Sequence, residues 1–199
     1  IVSWSLNTHM GYDTNFTGHF SLDKPLTAAH KDYLSKFAAT RRMKRDSLKV
    51  SALPDPIRVA ANLPIGVQGS YYVGGKDYDS GWGDESILEG NDPPDEQPGL
   101  WCNWTPNDDG TQIIWNEGEK FYYYTHWLQY ILDHFLIPWG YTLNGNVSWE
   151  GENEDDTGVI TLTNNVMTHS QLDGDHDLQS NRALRKMMEQ YFYASRHQP

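Results

Sequence analysis

Apolar and polar residues alternate at the start of the chain. Phe16, Gly18, Phe20 and Leu22 interleave with Thr17, His19 and Ser21, the two-residue period of a half-buried strand. Pro25 breaks the pattern, and Thr27 is a suitable helix N-cap. Tyr33, Leu34, Phe37 and Ala38 then recur at helical spacing, which predicts an amphipathic helix over residues 28–42. Residues 46–69 carry Pro54, Pro56 and Pro64 and read as a connection with a helical turn or two near 57–63. A short strand is expected over 71–73, closed by Gly74 and Gly75. A Gly-, Asp-, Glu- and Pro-rich run then continues to residue 99.

The apolar density of residues 100–140 is what the rest of the chain is organised around. Leu100–Trp104 has bulk at both parities, which predicts a central strand. Asp109-Gly110 supplies a hairpin turn, and residues 111–115 the returning strand. Residues 120–137 form the longest amphipathic run. Phe121, Tyr124, Leu128, Ile131, Leu132 and Phe135 make one face, and Tyr123, Trp127, Tyr130 and His134 a second stripe. So wide an apolar arc predicts burial on two sides. Residues 141–150 read as one strand through Asn144-Gly145, because Leu143, Val147 and Trp149 keep a single parity. A strand over 159–163, a loop over 164–177 and a last helix over 181–195 complete the order. That order predicts an α+β protein: an antiparallel-rich sheet with two helices packed on one face, ferredoxin-like, plus a C-terminal helix. Residues 10–168 form the expected single domain. Residues 1–9 read as a tag or flexible N-terminus, and 169–199 as a C-terminal loop and helix.

Composition supports a globular protein, at 38% hydrophobic and 13% aromatic over 199 residues. No apolar run reaches the roughly 18 residues of a spanning helix, so no membrane partner is expected. A single cysteine excludes an internal disulfide and fits a reducing compartment. Charge changes the picture more. Residues 1–60 balance at +4, residues 61–168 at −16 and residues 169–199 at zero, for a net −12. The acidic middle disfavours nucleic acid, whose affinity comes from Lys and Arg, and suits a basic protein surface. Plain solubility is the simpler account of the same acids. The first predicted helix ends in Arg41, Arg42, Lys44 and Arg45, with Lys49 just beyond. They either complement its dipole or dock phosphate or the chain's own acidic stretch.

Catalytic and cofactor chemistry finds little footing. There is no HExxH, CxxC, G-x-S-x-G, P-loop or G-x-G-x-x-G, so no cofactor or metal is called for. Asp77, Asp79, Asp84 and Glu85 lack the glycine and terminal acid of a calcium loop. Cys102, between tryptophans, reads as a buried small hydrophobe.

The run Asn91-Asp92-Pro93-Pro94, the run Gln97-Pro98-Gly99-Leu100-Trp101-Cys102-Asn103-Trp104 and Glu119-Lys120-Phe121-Tyr122 stand out together. With Thr40-Arg41-Arg42-Met43-Lys44-Arg45-Asp46 upstream, and Trp139-Gly140-Tyr141, Asn144-Gly145 and Gly151-Glu152 downstream, they resemble a family of uncharacterised proteins of phage and bacterial genomes. The resemblance spans Met10 to about Val166. It implies a bacterial cytoplasm, or that of a phage-infected host, and carries no activity or residue role.

The leading expectation is therefore a non-catalytic acidic binding module. It would present Asp77, Asp79, Trp82, Asp84 and Glu85 with Glu150, Glu152, Glu154, Asp155 and Asp156 to a basic protein. A phage-encoded inhibitor of a host nucleic-acid-handling or defence protein, acting by charge mimicry, is the sharpest form. It requires those carboxylates to be unneutralised. One alternative is a nucleotide- or aromatic-ligand domain or enzyme, with Trp82, Trp101, Tyr123 and Trp127 lining the pocket. Another is a structural subunit of a virion or homo-oligomer, joined through Met187, Met188, Tyr191 and Phe192.

Overall fold

The strand predicted first is the one around which the sheet assembles. In a computed structural model that describes residues 12–75, 84–153 and 156–170, β1 (Thr14–Leu22) pairs antiparallel on both sides. Its neighbours are β5 (Gln112–Trp115) and β6 (Leu143–Gly151). Beyond β5 lies β4 (Trp104–Pro106), and beyond β6 lie β7 (Thr157–Thr163) and β8 (Val166–His169). The helix α1 (Ala28–Ala39) joins β1 to β4, with β5 between them. The helix α4 (Tyr124–Ile131), continued by a π-helical turn at Leu132–Leu136, joins β5 to β6, with β1 between them. Each half is a split βαβ unit, and their interlocking is the ferredoxin-like arrangement the sequence predicts. The strands β7 and β8 widen that core. The long connection from α1 to β4 holds the short helices α2 (Ser47–Ser51) and α3 (Pro56–Ala60). It also holds a two-stranded ribbon of β2 (Lys44–Arg45) and β3 (Ile87–Glu89).

One sheet face carries the core. Phe16, Phe20, Leu143, Val147, Trp149, Ile160 and Leu162 are buried, whereas Asn15, Thr17, Ser148, Glu150 and Thr157 on the opposite parity are exposed. Tyr33, Leu34 and Phe37 of α1 and Trp127, Leu128 and Ile131 of α4 cover that face. Ring contacts tie the layers, with Phe16 at 4.9 Å from Tyr124 and Phe37 at 5.1 Å from Phe135. Two glycines let the central strands meet. A Cβ on Gly18 (φ 113°) would lie 2.6 Å from the Asn146 carbonyl oxygen, and one on Gly145 (φ 134°) 2.7 Å from that of His19. Gly145 is thus a strand position, as the parity of its neighbours requires, and not a turn.

Several expectations need correction. Leu100–Asn103 is not a strand, and β4, which begins only at Trp104, lies at the sheet edge and not at its centre. The bulk at both parities reflects packing between sheet end and helices. Residues 71–73 form no ladder; the carbonyls of Ser70 and Tyr72 accept from the Arg42 guanidinium instead. The long helix starts at Tyr124, because Tyr123 is left-handed (φ 58°) and Phe121 turns inward against Trp104 and Phe16. The expected loop after residue 163 contains a tight turn at Asn164-Asn165 (φ 50° and 66°), which returns the chain as β8. Helix α1 stops at Ala39, where Thr40 takes an extended conformation. The predicted last helix and its Met187, Met188, Tyr191 and Phe192 lie outside the described residues. No helix among the described residues is long and apolar enough to cross a membrane.

Candidate functional site

The basic residues after α1 do not serve its dipole, since the helix has already ended. Lys44 and Arg45 form one strand of the ribbon and, with Arg41 and Lys49, hold the first acidic stretch, whereas Arg42 turns to the Ser70 and Tyr72 carbonyls. Arg45, 4% exposed in its side chain, donates to Asp84 and to Ser86 Oγ (2.7 Å) and lies 4.8 Å over the Tyr72 ring. Lys44 pairs with Asp95 at 2.6 Å, Lys49 Nζ donates to the Glu85 carbonyl (3.2 Å), and Arg41 Nε donates to that of Gly90 (3.1 Å). Burial alone would raise the Asp84 carboxyl, but hydrogen bonds from Ser86 and Arg45 outweigh it and hold the group below its ordinary range. The Lys44 hydrogen bond does the same for Asp95.

The second acidic stretch is different. Thr14 of β1 pairs with Gly151 of β6, so the β6–β7 reversal sits where β1 begins. The chain leaving β5 arrives at the same end, with Asn116 N–H donating to the Asn103 carbonyl (3.0 Å). Asp13, Glu117, Glu119, Glu150, Glu152 and Asp156 therefore gather there. Glu152 accepts from the backbone N–H of Asp13 (2.9 Å), and Asp156 accepts from the Tyr12 hydroxyl. The Asp13 side chain shares a hydrogen bond with that of Glu119 and, with the charges of Asp13 and Glu152, pushes the Glu119 carboxyl up. Among the described residues one cation answers: Lys120 Nζ is 3.8 Å from Asp13 Oδ1. Among the described residues, no group of three or more acids, histidines or cysteines is placed to hold a metal ion.

The acidic residues singled out from sequence therefore divide. Asp84 is tied to Arg45, while Glu85, Glu150 and Glu152 are exposed and Asp156 is half-buried. Asp77, Asp79, Trp82, Glu154 and Asp155 lie outside the described residues. Of the aromatic pocket set, Tyr123 and Trp127 meet across Gly99, and Trp101 is half-buried two residues further on. Asp13 and Glu119 were not foreseen, because only the β1–β6 pairing brings them beside Glu152.

A polar network under the helices also escaped the sequence reading. The Tyr71 hydroxyl bonds His134 Nδ1 at 2.8 Å, and Tyr130 stacks on the His134 ring at 4.1 Å. Gln97 Nε2 donates to the Tyr130 hydroxyl (3.1 Å) and to the Ser70 carbonyl (2.7 Å), which Arg42 Nη2 also reaches (3.2 Å). His134 sits in the π-helical turn, where Ile137 N–H donates to the Leu132 carbonyl five residues back (2.9 Å). Burial draws His134 below the usual histidine range and drives Tyr130 well above the tyrosine range. Cys102, fully buried, is pushed up to about 12, which leaves it a thiol and no nucleophile.

No protein-family model matches the chain, and neither a curated protein nor a solved structure shows significant similarity to it.

Proposed function

We propose that the protein is a non-catalytic binding module whose acidic sheet end engages a basic protein surface. The observation that carries this reading is the convergence of Asp13, Glu119, Glu150, Glu152 and Asp156 where β1 begins and β6 ends, with like charges close enough to raise Glu119. The reading is narrower than the sequence alone proposes. Asp84 and Asp95 are neutralised within the chain by Arg45 and Lys44, so among the described residues the first acidic stretch contributes through Glu85, Glu89, Asp92 and Glu96, which are exposed. In its sharpest form the module is a phage-encoded inhibitor that occupies the nucleic-acid site of a host protein by charge mimicry. That form rests on the sequence resemblance alone.

Capture of partners from bacterial lysate tests it, with wild type beside a variant carrying Glu119→Gln, Glu150→Gln and Glu152→Gln. The expected result is a basic protein recovered at low salt, released at high salt and lost with the variant. Recovery unaffected by salt or by the three substitutions would overturn the reading.

A further inference from the structure

Three buried polar side chains along Gln97–Leu100 keep groups that have no hydrogen-bond partner among the described residues. Arg42 is 2% exposed, with its guanidinium 4.3 Å over the Phe37 ring. Nη2 donates to the Ser70 and Tyr72 carbonyls, while Nε and Nη1 have no partner. Gln97 Oε1 and the Trp127 indole Nε1 are likewise buried and unbonded. The three border one segment. Gln97 shares the Ser70 carbonyl with Arg42, the Leu100 carbonyl accepts from Arg42 N–H (2.9 Å), and a Cβ on Gly99 would lie 3.6 Å from the Trp127 indole nitrogen.

A buried guanidinium with no counter-charge is strongly unfavourable, and unbonded buried N–H groups add to the cost. Among the described residues no carboxylate pairs with Arg42; the buried Asp55 carboxylate accepts through Oδ2 from Arg58 Nε (2.9 Å) and Val73 N–H (3.1 Å), and its Oδ1 bonds neither Arg42 nor any other described group. Donors left over on a cation and an indole match an oxyanion, and it is Gly99, which carries no side chain, that lies against the buried indole N–H. Tyr123, whose ring lies 3.5 Å from the same Cβ position, closes the far side.

We propose that Arg42 and Trp127 form a binding site for an oxyanion, a carboxylate or phosphate group, entered by displacement of the 97–100 segment. The site is independent of the acidic sheet end, so either reading can fail alone.

The test is thermal unfolding of the full chain, monitored by tryptophan emission, in increasing inorganic phosphate or acetate, with sodium chloride holding ionic strength constant. A saturable rise in Tm is expected, about 5–10 °C at a hundredfold excess over Kd. Trp127→Phe removes one donor and keeps a ring, and should weaken the affinity about fivefold. Arg42→Met should abolish the response; if it does not fold, Trp127→Phe decides. A response to phosphate alone assigns a phosphoryl ligand, and to acetate alone a carboxylate. No saturable rise with either anion, or an unchanged affinity in Trp127→Phe, would overturn the site.

Discussion

Arg45 and Asp84 form a pair whose two halves are unequally buried, and this predicts an asymmetric cost of breaking it. The Arg45 side chain is 4% exposed and that of Asp84 23%. Asp84→Asn keeps the bond from Ser86 N–H (2.8 Å) but leaves a buried cation with only Ser86 Oγ and the Tyr72 ring beside it. Removing one partner of a buried pair costs about 3–5 kcal/mol, and residual access to water places this substitution near the lower bound. Arg45→Met keeps the volume over Tyr72 and leaves a carboxylate that reaches water and still accepts from Ser86. About 1–2 kcal/mol is expected there. The double variant should resemble Arg45→Met alone, which gives a coupling equal to the Asp84→Asn cost, about 3 kcal/mol. Urea unfolding of the four proteins at pH 7 measures all three quantities. The pH dependence follows from the lowered Asp84 and Asp95 pKa values. Their stabilisation is fully present above about pH 4, the ordinary carboxylate value, and is lost as pH falls through the depressed values in the folded protein. The variants should therefore show a shallower acid limb. An Asp84→Asn cost no greater than that of Arg45→Met, or a coupling below about 0.5 kcal/mol, would refute a buried Arg45 cation held by Asp84.

Gly18→Ala should lower Tm by about 5–15 °C, from backbone strain of about 1–3 kcal/mol and overpacking of similar size. Calorimetry against Thr17→Ala, an exposed neighbour on β1, checks it. Glu119→Gln should raise Tm at pH 7. Because the folded pKa of Glu119 is raised, its protonated form favours folding below the ordinary glutamate pKa, and that advantage is lost as pH rises through the folded value. Wild type and variant should therefore converge below about pH 4.3, and a gap that persists there would contradict the Asp13–Glu119 pairing. Cys102 should resist Ellman's reagent in the native protein and react only as fast as the chain unfolds, since the thiol is buried. Rapid native labelling would show the site to be open.

Elements with a clean period were legible from sequence, and those built from unusual backbone were not. The alternation about Phe16 and Phe20 predicted β1, and Thr27 was the N-cap it looked to be, accepting from His30 N–H at 3.3 Å. The parity of Leu143, Val147 and Trp149 carried β6 through a glycine that local turn preference would have broken. By contrast, the aromatic run Phe121–Tyr124 matches a helical period, yet Tyr123 adopts a left-handed conformation, to which period is blind. Leu100–Asn103 and residues 71–73 have strand-like side chains, but their carbonyls serve Arg42 and neighbouring loops instead of a ladder. The candidate sites follow the same division. Glu150 and Glu152 were visible as local charge, whereas Asp13, Glu119 and the orphaned donor groups of Arg42 and Trp127 acquire meaning only through contacts distant in sequence.

The two margins of the sheet are chemically unlike. Asn107 N–H donates inward to the Gln112 carbonyl (3.0 Å), so the nitrogen of Pro106 one residue earlier points outward, where it has no hydrogen to offer. A strand arriving beside β4 would meet a gap in its hydrogen-bonding rail. Among the described residues the margin at β8 has no such stop, and Val166 there is 65% exposed. Any lateral growth of this sheet, whether by self-association or by accepting a foreign peptide, would on the described residues be directed to one flank.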